Sequence, residues 1–209
     1  ARENPASVGK PSASRQPLPL LFWVYWVALM LGVAVEFCMV FWSADFLENV
    51  LNMGKANAAQ AVSLFLAAMI IGRMLGSRLV GRFSARAVVT ISILIAGVGF
   101  LLFWQTGNVL LGLSGLFLTG LGVANFYPLL LSQAIGAAEG NTVQAGARAT
   151  LASGTAILAL PLVLGRLADA VGIHSAYGVV ALLLLSVFLI SQIAVRISPQ
   201  PDFLSDSSI

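Results

Sequence analysis

The run LPLLFWVYWVALMLGVAVEFCMVFW, Leu18–Trp42, holds a single charged side chain, Glu36. About 20 mostly apolar residues in a helix cross a hydrocarbon core roughly 30 Å thick, so this stretch is long enough to span a membrane. Such a segment needs a reason to carry a carboxylate, because ionisable groups inside a membrane are costly and normally face the bundle interior or water.

Five further runs of the same kind follow: Ala58–Leu79, Ala87–Trp104, Val109–Leu131, Ala147–Leu167 and Ala176–Val195. Only 9% of the chain is charged and 59% is hydrophobic, against about 25% charged in a soluble domain. The fold class expected is an all-α membrane protein of six transmembrane helices, joined by short connections into one bundle. Residues 1–17 are polar and rich in Pro and Ser, reading as a flexible cytoplasmic linker. Residues 18–197 form the six-helix domain and residues 198–209 a cytoplasmic tail. The first apolar run is too long for a secretory signal. The chain begins with Ala1, as a fragment or a processed product would. Cys38, the one cysteine, is expected to be a packing residue.

Lys and Arg set the orientation. With the N-terminus inside, Arg2, Lys10, Arg15, Arg73, Arg78, Arg82, Arg86, Arg148 and Arg196 all fall on the cytoplasmic side, leaving Lys55 and Arg166 outside. Both termini are therefore expected in the cytoplasm, and the membrane is expected to be the cell's inner (plasma) membrane. The scattered net charge of +3 gives no sign of a nucleic-acid partner.

The six runs divide into two triplets, about 18–105 and 108–197, displaced by about 90 residues. An odd number of spans per repeat inverts the second copy, as in many transporters. At this displacement MLGSRLVGRFSARAVV, from Met74, lies beside VLGRLADAVGIHSAYGVV, from Val163, with Gly76 opposite Gly165. The third and sixth runs lack ionisable side chains apart from Tyr177 at a margin, and read as lipid-facing. The polar residues gather on the other four: Tyr25 and Glu36, Gln60 and Ser63, Thr119, Asn125 and Tyr127, then Arg148, Ser153 and Thr155. Those four helices are expected to border a wet cavity.

GRMLGSRLVGRFSARAV, from Gly72, resembles the cytoplasmic loop signature of the major facilitator superfamily (MFS) in the degenerate copy of its C-terminal half. Gly76 matches the signature's glycine, Arg78, Arg82 and Arg86 its basic cluster, and Val80 stands where its aspartate would fall. GLGVANFYPLLLSQ, from Gly120, is similar to the fourth helix of that half, and PLVLGRLADAVGIHSAY, from Pro161, to its last outer turn. LGVAVEFCMVFWSADFLE, from Leu31, resembles the seventh helix of the sugar and efflux branches. The resemblance covers nearly the whole chain and implies the C-terminal six-helix half of a secondary carrier with no enzyme activity. It further implies a small-molecule substrate, alternating access, and a partner in the missing N-terminal half or in a second copy of this chain.

On the span Leu18–Trp42, Glu36 falls about 9 Å outside the midpoint. Helical spacing puts Tyr25, Leu29 and Gly32 on its face, so Tyr25 and Glu36 are expected to line one stripe. Protonation removes most of the penalty for holding a carboxyl in hydrocarbon, which makes Glu36 the expected proton or substrate group of a symporter or antiporter; its alternative is a static bond between helices. Asn125, Arg148 and Thr155 complete the expected pathway. For Asn125 helix–helix bonding is the alternative, and for Arg148 snorkelling to the headgroups. Gly76, Arg78, Arg82 and Arg86 are expected to serve the cytoplasmic loop and gate, or topology alone.

No cofactor is expected. The chain has no Gly-x-x-x-x-Gly-Lys-Ser/Thr loop, and its lone histidine, His174, offers no metal constellation. Two other readings compete. A six-helix scaffold or homodimerising half would explain a single half-cavity. GLSG, Gly112–Gly115, with His174, is similar to the rhomboid intramembrane proteases. That family's histidine lies inside its helix, however, whereas His174 precedes the sixth run.

Overall fold

The structure is a computed structural model that describes residues 17–198. Nearly all of the expected linker and of the expected tail, and the topology charges Arg2, Lys10 and Arg15, lie outside the described residues. All the regular structure within the described residues is helical: α1 (Leu20–Asn49), α2 (Lys55–Val80), α3 (Ala85–Gln105), α4 (Val109–Val123), α5 (Phe126–Gly136), α6 (Thr142–Val171), α7 (Ile173–Ala176) and α8 (Gly178–Ile197). Together α4 and α5 make the fourth span, and α7 and α8 the sixth. The six spans run from 21 to 30 residues, each long enough to cross a bilayer.

Several helices reach beyond the apolar runs, and two helix starts are fixed by side-chain caps. Asn108 caps α4 by accepting from the N–H groups of Leu110 and Leu111, and Ser84 caps α3 by accepting from that of Ala87, as small polar residues do at helix starts. The first helix continues seven residues past Trp42, carrying Asp45 and Glu48 on its last two turns rather than in a loop. Its midpoint therefore falls between Ala34 and Val35, so Glu36 sits about 2 Å from the helix centre, not the 9 Å expected from the apolar run.

Packing reveals the two triplets. The first span lies against the fifth and sixth and the fourth against the second and third, while the two leading spans, first and fourth, also pack on each other, so each triplet's leading helix is held by the other triplet. One joint appears twice. The Asn125 Nδ2 donates to the Gly72 carbonyl oxygen (3.3 Å) while the Asn125 side chain lies over Gly76. Correspondingly the Trp42 Nε1 donates to the Pro161 carbonyl oxygen (2.9 Å) while its ring lies over Gly165. Gly72 and Pro161 are 89 positions apart, as are Gly76 and Gly165. The weak glycine match in the sequence thus marks a repeated device: a carbonyl that accepts and, one turn on, a missing Cβ that lets the donor in.

Glycines also bring α4 against its neighbours. A Cβ on Gly115 or Gly122 would collide with the backbone of Phe103 or Ala96 on α3, and one on Gly120 would lie 2.6 Å from the Phe65 carbonyl on α2. Small residues are what allow membrane helices to approach this closely. This packing accounts for GLSG, whose Ser114 hydroxyl bonds the Leu110 carbonyl of its own helix.

The third and sixth spans turn apolar stripes outward, Ile91, Leu94, Val98 and Leu101 on α3 and Leu182, Leu185, Leu189 and Ile193 on α8. These recur every three or four residues, the spacing of one helical face. At one end of the bundle Phe46, Phe103 and Tyr177 pack with ring centroids 4.6 to 5.9 Å apart. There the Trp104 Nε1 donates to the His174 carbonyl, and the His174 ring lies against Phe46 and Trp104.

Candidate functional site

The fourth span breaks at Ala124 and Asn125, and the cause is written three residues on. In an uninterrupted helix the Ala124 carbonyl would accept from the N–H of residue 128, but that residue is Pro128, which has none and whose ring crowds that carbonyl. A buried carbonyl without a partner is costly. Arg73, reaching across from α2, supplies one: its Nε donates to the Ala124 oxygen at 3.4 Å. Asn125 reinforces the junction through its bond to Gly72, one residue before Arg73.

Anchored at Nε, the guanidinium turns its Nη2 toward the Glu36 Oε1 on α1, 3.7 Å away. This is the ion pair found among the described residues, and it answers how the first span tolerates a carboxylate. The separation is beyond direct hydrogen-bond length. Its Coulomb energy lies between about 1 kcal/mol in water and about 4.5 kcal/mol at an effective dielectric constant of 20, and exposure of the Arg73 side chain, 54% against 15% for Glu36, moves it toward the lower figure.

The pair opens into a cavity of about 230 Å³ lined by Val33, Glu36, Phe37, Arg73, Tyr127, Ser153 and Ile157. Four spans contribute, the first, second, fourth and fifth. Ser153 donates its proton to the Ala149 carbonyl of its own helix (3.0 Å), leaving its oxygen lone pairs toward the cavity. A second cavity of about 330 Å³ adjoins on the other side of Arg73, walled by Gly76, Ser77, Val80, Asn125, Pro128 and Leu129. Arg73 is common to both and partitions them.

The stripe expected on α1 forms, but it does not make one site. Gly32 packs on Phe126 and Leu130 of α5, and Tyr25 is buried beside Gln133 and Gly136 in a separate cavity of about 510 Å³ with Ser84, Arg86 and Ser198. That cavity lies eleven residues, about 16 Å, from Glu36 along the helix. Helix α5 covers the stripe, and Glu36 escapes because α5 begins only at Phe126. Arg148 sits with its guanidinium 4.9 Å from the Trp23 ring centroid, while its carbonyl accepts from the Trp26 Nε1 (2.9 Å). These contacts fasten the fifth span to the first and keep Arg148 out of the Glu36 cavity. Thr155 is exposed and bonds the Leu151 carbonyl of its own turn; Ser153 takes the cavity position instead. Gly76 is buried under Asn125, and Arg78 and Arg82 are exposed at the α2–α3 turn while Arg86 is half-buried in the first turn of α3.

The sequence reading missed Arg73, which it placed with the cytoplasmic basic cluster, and it gave Pro128 no physical role. Both had a signal. Arg73 stands seven residues before the end of the second helix, too deep for a loop charge, and a proline inside an apolar run announces a free carbonyl four residues back.

Residues 23–205 match the family model of the Major Facilitator Superfamily. Among curated proteins, an uncharacterized MFS-type transporter of Yersinia pestis is 30% identical over 172 residues, covering 79% of this chain and 44% of the relative. An uncharacterized transporter of Sinorhizobium fredii is 30% identical, with 78% and 43% covered. The membrane protein MosC of Rhizobium meliloti is 31% identical over 138 residues, with 65% and 33% covered. Among solved structures, the E. coli fucose:proton symporter FucP aligns with a TM-score of 0.73 at 20% identity over 86% of this chain and 43% of that one. The POT family transporter PepTSo aligns with a TM-score of 0.78 at 17% identity, covering 89% and 40%. The chain spans less than half the length of the curated relatives it matches. A family whose members are transporters, not enzymes, leaves no place for a protease reading of Ser114 and His174. With its family model matched over most of the sequence, this chain belongs to the Major Facilitator Superfamily.

Proposed function

We propose that this chain is the C-terminal half of a secondary active carrier, driven by a proton gradient, whose substrate pathway runs past Glu36 and Arg73. The observation that carries this reading is an ion pair near the middle of the membrane helices that opens into a cavity bordered by four spans. A purely structural pair would be closed over by packing. Here the carboxyl and guanidinium remain reachable, and the pair is loose enough to be broken by adding one proton. Alternating access would expose Glu36 first to one compartment and then to the other as this half rocks against a second six-helix unit.

The cytoplasmic placement of both termini, the plasma membrane, and the domain limits 1–17, 18–197 and 198–209 belong to the same proposal. In it Arg78, Arg82 and Arg86 mark the cytoplasmic face and Gly76 seats Asn125 behind Arg73. Tyr25, Arg148 and Thr155 contribute to helix packing or to the outer reaches of the pathway rather than to the cavity holding the ion pair.

The test is Glu36→Gln in the complete carrier reconstituted in vesicles. Solute accumulation against a gradient should be lost, and solute exchange at equal concentrations should persist with a flat pH profile. Accumulation and pH dependence equal to those of the unaltered carrier would remove Glu36 from the proton path. Expression of this chain alone addresses the alternatives of a scaffold or a homodimerising half: transport by a dimer of this chain would replace the N-terminal half with a second copy.

A further inference from the structure

The ion pair is lopsided in a way that bears on what the cavity accepts. The guanidinium is the more exposed partner, and it is held at Nε by the Ala124 carbonyl rather than by the carboxylate. A solute entering the cavity therefore meets fixed positive charge first. Nothing else in the cavity carries charge. From α1 it receives Val33, Glu36 and Phe37, from α2 Arg73, from α5 Tyr127, and from α6 Ser153 and Ile157. The titratable and charged groups facing Glu36 are thus Arg73 and Tyr127, with Arg148 engaged elsewhere by Trp23.

With Glu36 ionised, the cavity is neutral. When the carboxyl takes a proton, Arg73 remains cationic in a low-dielectric surrounding, and the charge is balanced again by one monovalent anion. A guanidinium suits a carboxylate, whose two oxygens match its planar fork. The remaining walls, Val33, Phe37 and Ile157, are apolar and suit a hydrocarbon or aromatic body better than a bare inorganic ion.

Resting on the carrier reading above, we propose that the cavity binds a small monocarboxylate. Its carboxylate takes the place of Glu36 on the Arg73 guanidinium when Glu36 accepts a proton from the same compartment, so that one proton and one anion cross together without net charge. On the far side the anion leaves, Glu36 returns its proton to water, and the original pair re-forms.

The probes are acetate, lactate and benzoate, with glucose and choline as neutral and cationic comparisons, each assayed for thermal stabilisation of the complete carrier and for uptake into vesicles. Because a ligand that binds the folded state raises its melting temperature, at least one monocarboxylate should stabilise the protein, and more strongly at lower pH, by up to tenfold in affinity per pH unit. Glu36→Gln should bind that anion at every pH. The double variant Glu36→Gln with Arg73→Gln, which leaves no unpaired charge to unfold the protein, should lose it, and Arg73→Lys should weaken it at least tenfold. Uptake should acidify the vesicle interior and be indifferent to an imposed membrane potential. Stabilisation and uptake of glucose or choline without any monocarboxylate would overturn the anion proposal while leaving the carrier standing. Failure of every monocarboxylate to stabilise the protein or to move would overturn the anion proposal and leave the carrier reading to its own Glu36→Gln test, and monocarboxylate binding that survives in the double variant would remove Arg73 from the site.

Discussion

Replacing Pro128 by Ala restores a backbone N–H four residues after Ala124, and with it a local partner for the carbonyl that now holds Arg73. Arg73 should then lose its anchor. A hydrogen bond to a charged group contributes about 1.5 to 3 kcal/mol, and at 3.4 Å this one belongs at or below the low end, about 1 to 1.5 kcal/mol. Released, the side chain regains part of the roughly 2 kcal/mol of rotamer entropy that an arginine carries, and the orientation facing Glu36 becomes about 5 to 10 times rarer. Folding stability should move the other way or not at all, because the fourth span gains a backbone bond of about 0.5 to 1.5 kcal/mol. The assay pairs substrate concentration curves in vesicles with thermal unfolding followed by tryptophan fluorescence. The expected signature is KM raised 5- to 10-fold with the melting temperature unchanged or higher. Adding Pro128→Ala to an Arg73→Gln background should cost nothing further, since both act through one contact. An unchanged KM, or effects of the two substitutions that simply add, would refute the link between the proline and the arginine.

Other expectations follow from single contacts. Gly122→Ala should destabilise the bundle by about 1 to 3 kcal/mol through overpacking, because the new methyl meets the α3 backbone, whereas Gly97→Ala, with open space around it, should be neutral; thermal unfolding in detergent separates them. Trp42→Phe should cost about 0.6 kcal/mol, the typical value of an interhelical bond in a membrane protein, for the lost donor to the Pro161 carbonyl, and more for the indole ring atoms that lie over Gly165, read as a drop in melting temperature. Ser114→Ala should leave stability and transport unchanged, since the hydroxyl bonds only within its own helix; a loss of either would reopen the question of what GLSG does.

The spans and their grouping into triplets were legible because hydropathy and length are one-dimensional signals that a bilayer enforces. The third and sixth apolar runs were read as lacking ionisable side chains apart from Tyr177; their uncharged polar residues went unremarked, and two of them, Gln192 and Thr90, bond one span to the other. Glu36 stood out because a carboxylate in such a run demands a partner. Its partner did not, since which arginine reaches it depends on the crossing of α2 over the fourth span, a three-dimensional fact. Tyr25 illustrates the converse: helical phase put it correctly on the face of Glu36, but phase alone says nothing about α5 lying across that face as far as Phe126. Thr155 and Ser153 were equally polar on paper, and only the rotation of α6 chose between them. Arg148 was read as a pathway charge or a headgroup contact, whereas in the structure that charge lies over the face of Trp23 and its backbone carbonyl accepts from Trp26, neither of which a linear reading places beside it. The Gly76–Gly165 correspondence gained its meaning once the carbonyls at Gly72 and Pro161 were seen to accept equivalent bonds.

The central claim is that water reaches the cavity around Glu36 and Arg73 while the outward faces of the third and sixth spans meet lipid. Reaction with a charged, membrane-impermeant thiol reagent tests it most directly, using the complete carrier with Cys38→Ala and a single cysteine at either Ile157, half-buried in the cavity wall, or Leu185, 54% exposed on α8. The reagent acts on thiolates in water, so Ile157→Cys should react, faster in one access state than the other, and Leu185→Cys should stay inert in the bilayer despite its greater exposure. Rapid labelling at Leu185 with none at Ile157 would contradict the account.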